Sequence, residues 1–427
     1  MSKMSFILYL LIIAMILVFL NIFLMIYMDQ NDKKLQPNEH FEYQLDNEWT
    51  NSLYKMNLGK LKKIHELPKD KSGEYYINKY FIQSQHESLP HDVVLVTHCT
   101  EDHLYRLISL AKLWQGSISV GVFVPNNALR QTLDMLNLLY QCYFHIRQQV
   151  SIHLIHPVAM IMNNAADTLI DAMDKWKRKN INCVKALEFF LKRSQDDAKN
   201  YAKKINYPSN VLRNVAKHGH SSIYSLVMDI DLVPNQNLRS KFLKFATQNN
   251  LFNGGNSFYN EKSVFVLPVF EMNSESYEEV PKEKSQLLNM LDKSIRPFYY
   301  EVCQKCQRRT DYTRWKSLDN SENYFDVGYE VSWKDPWEPF FISPTSAPDY
   351  DERFKQYGFN RISHACELHM ARYRFFILNR GFLLHLGYKD KNSFHSSKND
   401  ENNRNRRLYR NLKTELKQKY PFSKNRC

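Results

Sequence analysis

Ser222-Ile223-Tyr224-Ser225-Leu226-Val227-Met228-Asp229-Ile230-Asp231-Leu232-Val233-Pro234 is a nearly all-apolar run that carries two aspartates one residue apart and stops at a proline. Such a run predicts a strand buried on both faces, as in an α/β protein. Carboxylates at its C-terminal end would lie in the crevice where open α/β sheets bind ligands. On an extended strand Asp229 and Asp231 point to the same side. Two carboxylates so placed repel until a cation joins them, and a hard divalent ion with positions left for phosphate oxygens suits the pair. Asp-x-Asp is common by chance and is often a solvated turn. Its place at the end of an apolar strand is what singles it out.

Upstream, the pattern alternates. His91-Asp92-Val93-Val94-Leu95-Val96-Thr97 reads as a strand, and the stretch holding Leu104, Leu107, Ile108, Ala111 and Leu113 as a helix. Ile118-Ser119-Val120-Gly121-Val122-Phe123-Val124-Pro125 is a second strand, residues 126–141 a second helix, and Ser151-Ile152-His153-Leu154-Ile155-His156 a third strand. Strand–helix alternation predicts a mostly parallel, doubly wound α/β sheet. Neither G-x-G-x-x-G nor a Walker loop is present, which excludes a dinucleotide fold and a P-loop NTPase. Residues 207–218 read as a short helix entering the central strand. Downstream come a helix over 238–247, Gly254-Gly255, the strand Ser263-Val264-Phe265-Val266-Leu267-Pro268-Val269-Phe270 and a charged helix over 282–291. Trp315, Trp333 and Trp337 are either aromatic core under long loops or walls on which sugars stack. Residues 400–427 read as a basic surface helix.

With 427 residues, 43% hydrophobic and 24% charged, the chain is globular and long enough for one large or two ordinary domains. Its net charge of +13 admits nucleic acid, an acidic membrane surface or an anionic substrate as partner. The basic residues are scattered, however, and no zinc finger, RNP-type aromatic pattern or basic zipper accompanies them, so nucleic acid is set aside. Residues 6–28 are apolar apart from Asn21 and at ~1.5 Å per residue can cross a hydrocarbon core of ~30 Å. The run is long for a signal peptide and lacks a small-x-small cleavage site, so it reads as an uncleaved signal anchor. Lys3 before it gives a type II orientation. The expected layout is a cytoplasmic tail (1–5), a transmembrane anchor (6–28), a polar stem (29–89) and a catalytic domain (90–427), with Tyr75-Tyr76-Ile77-Asn78-Lys79-Tyr80-Phe81-Ile82 already packing on the domain. Seven cysteines suit a lumenal protein with a few disulfides and at least one free thiol. The single Cys303-Gln304-Lys305-Cys306 reads as a disulfide or plain thiols rather than zinc. The chain has no Asn-x-Ser/Thr sequon.

A set of short motifs then falls in order: Val96-Thr97-His98-Cys99, Tyr207-Pro208-Ser209-Asn210-Val211-Leu212-Arg213-Asn214-Val215-Ala216, Met228-Asp229-Ile230-Asp231-Leu232-Val233-Pro234 and Phe265-Val266-Leu267-Pro268-Val269-Phe270-Glu271. Trp337-Glu338-Pro339-Phe340, the run from Tyr357 through Gly358 to Leu368, and His385-Leu386-Gly387-Tyr388-Lys389 complete it. Over roughly residues 90–395 the chain resembles glycosyltransferase family 49. The resemblance implies a GT-A glycosyltransferase fold, a single-pass type II protein of the Golgi membrane and Mn²⁺-dependent transfer from a UDP-sugar. It places the metal on Asp229, Asp231 and His385, with Lys389 reaching the diphosphate as a point charge. Thr97 and His98 would lie near uracil and ribose, and Arg213 and Asn214 near the donor. Taken alone, His385 reads as a core histidine beside a glycine turn, and Arg213 and Asn214 as a helix cap and a surface pair. Inverting transfer needs one general base on the acceptor hydroxyl. Glu367 is the first candidate, with Asp351 and Glu352 as alternatives. A glucuronate donor wants a basic partner for its carboxylate, and Arg361, Arg372 and Arg374 are the possible suppliers. The expected function is transfer of glucuronic acid from UDP-glucuronate to a glycan acceptor on a glycoprotein, with a homodimer possible through stem or anchor. The alternatives are another UDP-sugar (xylose, glucose or N-acetylglucosamine) or a lapsed transferase acting as a membrane-anchored carbohydrate-binding protein.

Overall fold

The apolar runs become the inner strands of two mixed sheets. The computed structural model describes residues 61–427 except 62, 126–127, 161–181, 198–205, 257, 275, 320–324 and 390–395. The expected tail, the anchor and the stem up to residue 60 lie outside the described residues. Among the described residues no helix is long and apolar enough to cross a membrane.

In the first sheet, β2 (Val93–Cys99), β3 (Ile118–Phe123), β4 (Val150–Pro157) and β5 (Tyr224–Val227) run parallel in the order β4-β3-β2-β5. This is the half that the strand–helix alternation predicted. β1 (Tyr75–Ile82) pairs antiparallel with β4 at one edge, so the chain joins the sheet before residue 90. Beyond β5 lie β11 (Phe340–Pro344), antiparallel to both β5 and β7 (Ser263–Leu267), then β12 (Arg374–Leu378), parallel to β7, and β10 (Val327–Val331) at the far edge. The sheet is therefore mixed. Along β2, Val93 and Leu95 pack with Leu107 and Leu110 of helix α1 (Leu107–Trp114) and Leu133 and Leu136 of α2 (Leu129–Cys142). Val94 and Val96 face the other way, toward Ala216 of α3 (Ser209–Lys217). Both faces are covered, which is why these strands read as continuous apolar runs. Gly121 permits a close approach of α3, since a Cβ there would lie 2.7 Å from the carbonyl oxygen of Leu212.

The second sheet holds four strands, β6 (Leu232–Pro234), β13 (Leu383–Leu386), β8 (Val269–Met272) and β9 (Ile295–Pro297), in that order. Three times the chain steps from the large sheet to the small one: β5 to β6, β7 to β8 across Pro268, and β12 to β13. The stretch 222–234 is accordingly not one strand. Asp229-Ile230-Asp231 forms the turn between β5 and β6, with the Leu232 N–H donating to Asp229 O at 3.1 Å. The two-residue period of a strand does not apply there, and the aspartates need not point together.

The three tryptophans are core. Trp315, Trp333 and Trp337 are buried, and their indole N–H groups donate to Leu378 O, Trp337 O and Thr310 Oγ1. That removes the sugar-stacking alternative for all three. Disulfides join Cys142–Cys183, Cys303–Cys306 and Cys366–Cys427, and Cys99 is a buried free thiol.

Candidate active site

The steps between the sheets bring their flanking residues to one seam. Asp229 and Asp231 come from the first step and His385 from β13. In register, His385 lies opposite Leu232 on one side and Glu271 on the other. Its Nδ1–H donates to Gly387 O at 2.7 Å, which leaves Nε2 facing Asp231 Oδ2 at 2.9 Å. A neutral imidazole so oriented presents a lone pair to a carboxylate, an arrangement that calls for a proton or a cation between them. Lys389 Nζ, 3.2 Å from the same Asp231 oxygen, supplies positive charge. Burial opposes ionisation of Asp231, but Lys389 and His385 hold its carboxyl well below the usual range.

Behind this pair, buried Glu271 accepts Arg296 Nε at 2.6 Å and the Lys389 backbone N–H at 3.2 Å, and the Arg296 guanidinium lies 4.0 Å from the centre of the Tyr388 ring. Phe298, just past β9, covers His385 with ring centroids 5.5 Å apart. The loop Gly387-Tyr388-Lys389 is thus held from beneath.

Asp229 is engaged differently. Arg213 Nη2 from α3 meets Oδ1 at 2.8 Å, and Arg361 Nη1 from α5 (Asn360–Met370) meets Oδ2 at 2.5 Å. Despite burial, Arg361 first and Arg213 next keep Asp229 far below its ordinary pKa. The far end of Arg361 reaches Glu338 Oε2 at 3.1 Å and the Tyr299 hydroxyl at 3.3 Å. His98 Nε2 lies 3.7 Å from Asp229 Oδ1 while Nδ1 bonds the Tyr207 hydroxyl at 2.6 Å. Burial and Arg213 lower the His98 pKa, so it is neutral.

The donor set of Asp231 and His385, one carboxylate oxygen and one imidazole nitrogen, fits Mn²⁺. The Nδ1–H bond to a carbonyl is the usual second support of a metal-binding histidine. Asp229 is engaged by arginines rather than by His385. Its oxygens are taken by two guanidinium groups, and no group of three or more His, Cys, Asp or Glu gathers around one point among the described residues. Of the expected three, Asp231 and His385 face one another, while Asp229 is engaged by Arg213 and Arg361.

Other expected residues lie elsewhere. Thr97 is inside β2, fully buried, with Oγ1 unpartnered. Asn214 holds the following loop instead, donating to Tyr350 O and Glu352 Oε1 and accepting from the Tyr350 N–H. Glu367 accepts Lys419 Nζ at 2.7 Å and the Tyr420 hydroxyl at 3.0 Å, so it binds α5 to the C-terminal helix α6 (Lys398–Lys419) and its following residue. Six residues past Arg361, it is displaced about 9 Å along the helix. Asp351 is taken by Arg353, which also bridges to Glu415. Arg374 pairs with Glu330 at the sheet edge and exposed Arg372 with Phe422 O; of the three proposed carboxylate readers only Arg361 is at the seam.

Sequence reasoning passed over Glu338, Glu271, Arg296 and Arg106. Arg106 bonds Tyr277 and adds positive charge beside Asp231. Glu338 and Glu271 stand inside motifs already quoted, Trp337-Glu338-Pro339-Phe340 and the run ending at Glu271, which was the available signal. Arg296 and Arg106 had none.

The family model described as "Glycosyl-transferase for dystroglycan" matches residues 92–421. Beta-1,4-glucuronyltransferase 1 of Danio rerio is 36% identical over 373 residues, covering 84% of this chain and 83% of that protein. The Homo sapiens protein of the same name is 36% identical over 364 residues, covering 84% and 82%. Xylosyl- and glucuronyltransferase LARGE1 of Homo sapiens is 25% identical over 357 residues, covering 83% of this chain and 39% of that one. Among solved structures, S. aureus TarS 1-349 in complex with UDP-GlcNAc overlaps with a TM-score of 0.37 at 10% identity, covering 78% of this chain and 68% of that one, a likeness too slight to bear on the fold.

Proposed function

The chain belongs to this family of glycosyltransferases, and from that footing we propose that it transfers glucuronic acid from UDP-glucuronate to a glycan acceptor on a glycoprotein, with inversion, on a GT-A fold. The observation that carries the reading is the facing pair of Asp231 and His385 with its imidazole tautomer set by Gly387 O. Asp231 Oδ2 and His385 Nε2 would hold Mn²⁺. When bound, the ion supplies Lewis-acid charge that offsets the negative charge gathering on the departing diphosphate. Lys389 adds a mobile positive charge at the same place. Arg213 and Arg361 fix Asp229 in its ionised form at the edge of the site, and neutral His98 lies beside it without adding charge. Donor specificity is supported by the beta-1,4-glucuronyltransferase 1 relatives. The apolar run 6–28 supports a single-pass type II anchor in the Golgi membrane, and the three disulfides support a lumenal catalytic domain.

The test is release of UDP by the purified full-length chain from a panel of UDP-sugars, with Mn²⁺ and after chelation, beside Asp231→Asn and His385→Ala. Metal-dependent turnover of UDP-glucuronate alone, lost in both variants, is the expected result. Turnover of UDP-xylose, UDP-glucose or UDP-N-acetylglucosamine instead would replace the donor. Acceptor binding that survives chelation without turnover of any donor would identify a carbohydrate-binding protein.

A further inference from the structure

We propose that Glu338 is the general base that takes the proton from the acceptor hydroxyl, an inference that rests on the reading of the chain as an inverting sugar transferase.

Each carboxylate weighed for this role from the sequence is committed elsewhere. Glu367 is bonded by Lys419 and Tyr420, and Asp351 by Arg353. Glu352 has Oε1 on Asn214, and its second oxygen is sealed from solvent. Glu338 differs on both counts. Oε2 is held by Arg361 at 3.1 Å, Oε1 has no hydrogen-bond partner among the described residues, and the side chain is 15% exposed. One oxygen is anchored and the other is open.

The backbone is also fixed. The Glu338 N–H donates to Cys306 O at 3.0 Å, and its carbonyl accepts Gln307 Nε2 at 3.1 Å. Two residues on, β11 pairs with β5, so Glu338 stands beside the end of β5 where Asp229 follows. The Arg361 guanidinium spans the two carboxylates, placing Glu338 one guanidinium width from Asp229. A neighbouring cleft of 1610 Å³ includes Phe298 and Gln307 in its lining but not Glu338 itself. Phe298 touches His385 and Gln307 touches Glu338.

Burial foremost, with the Asp229 charge, raises the Glu338 pKa above the ordinary carboxylate value against the pull of Arg361 and Arg213. The groups facing it are Arg361 from α5, Asp229 after β5, Arg213 from α3, Tyr299 after β9 and Tyr357 before α5. A carboxylate held above its ordinary value is a better proton acceptor than an unperturbed one. In the step itself, the acceptor oxygen forms a bond to the anomeric carbon as the bond from that carbon to the diphosphate oxygen breaks. The bonding pair leaves with UDP. The hydroxyl proton passes to Glu338 Oε1 and from there to solvent, so the products are UDP and a β-glycoside from an α-linked donor.

Glu338→Gln keeps an oxygen for Arg361 and removes the basic one. In the full-length chain we expect kcat to fall about 10²- to 10⁴-fold, with UDP-glucuronate affinity by calorimetry within about threefold of the parent. The acid limb of the kcat/KM profile should vanish with it, and Glu338→Asp should restore part of both. A merely structural Glu338 would lower donor affinity through Arg361 and leave the acid limb in place. Glu338→Gln turnover within tenfold of the parent, or a retained acid limb, overturns the assignment while parental transfer still stands. Failure of the parent to transfer any sugar would overturn the underlying reading as well.

Discussion

Acidification from pH 7 to pH 5 should weaken the fold through buried histidines, and the size of the effect follows from two of them. His364 on α5 is 4% exposed, stacks on Tyr350 with centroids 3.8 Å apart and donates Nε2–H to Pro348 O at 2.8 Å. Burial, with Lys217 adding to it, pushes its pKa down to about 3. His156 in β4 is 2% exposed, and burial pushes it down to about 4. In the unfolded chain both titrate near ~6.5. Between the folded and unfolded values the unfolded chain binds more protons, so stability falls as pH falls through that window. From pH 7 to pH 5 each group contributes a loss of about 1.9 kcal/mol, roughly 4 kcal/mol for the two. That is a large share of the ~5–15 kcal/mol by which domains are stable. His220, pushed down to about 4, and His98 and His369, also lowered, act in the same direction, while Glu338, held above the ordinary carboxylate value, acts against them. Asp229, Asp231 and Asp349 are all held low and lose their contribution only below the ordinary carboxylate range, outside this window. Urea denaturation with the disulfides intact, at pH 7, 6 and 5, measures the slope. His364→Gln should lower stability at pH 7 through lost packing yet reduce the pH-dependent loss by about 2 kcal/mol. Flat stability between pH 7 and 5, or an unchanged slope in His364→Gln, refutes the reasoning.

Arg361→Met strands Asp229 and Glu338 with one charged partner removed from each, and should cost about 3–5 kcal/mol in urea melts. Adding Asp229→Asn should recover part of that cost, and strict additivity would show that the pair is not coupled. Asn405→Ala removes the 1% exposed amide that donates at 2.9 Å to the carbonyls of Lys355, Tyr357 and Gly358. It should cost about 2–4 kcal/mol and loosen donor binding, because that loop leads into Arg361. Gly358→Ala meets a φ of +93° and a Cβ only 2.6 Å from Asn402 Oδ1. The expected loss is about 1–3 kcal/mol, and Asn402→Ala beside it should relieve the clash but not the backbone strain.

The parallel half of the large sheet was legible because its strands are covered on both faces, which forces continuous apolar runs at β2, β3, β4 and β5. Asp231, His385 and Lys389 were legible through the ordered motifs around them, and the structure brings His385 and Lys389 to one Asp231 oxygen. Asp229 was found but its company was not. Its guanidinium partners, Arg213 and Arg361, lie 16 and 132 residues away, and nothing local to either signals the pairing. Glu367 was misplaced because a helix of known position does not reveal which face its neighbours cover. Only the C-terminal helix, folding back with Lys419 and Tyr420, decides that.

By itself the amino-acid sequence determined the alternation of strands and helices, the apolar anchor-length run and the residue types at the seam, since burial and hydrogen bonding restrict composition locally. Tertiary structure alone decided that 222–234 breaks into two strands of two sheets, that Asp229 turns to arginines while Asp231 turns to His385, and that Glu338 keeps an open oxygen. Those outcomes depend on contacts between distant segments, and a side chain's direction at a turn is set by the partners that reach it rather than by the period of the chain that carries it.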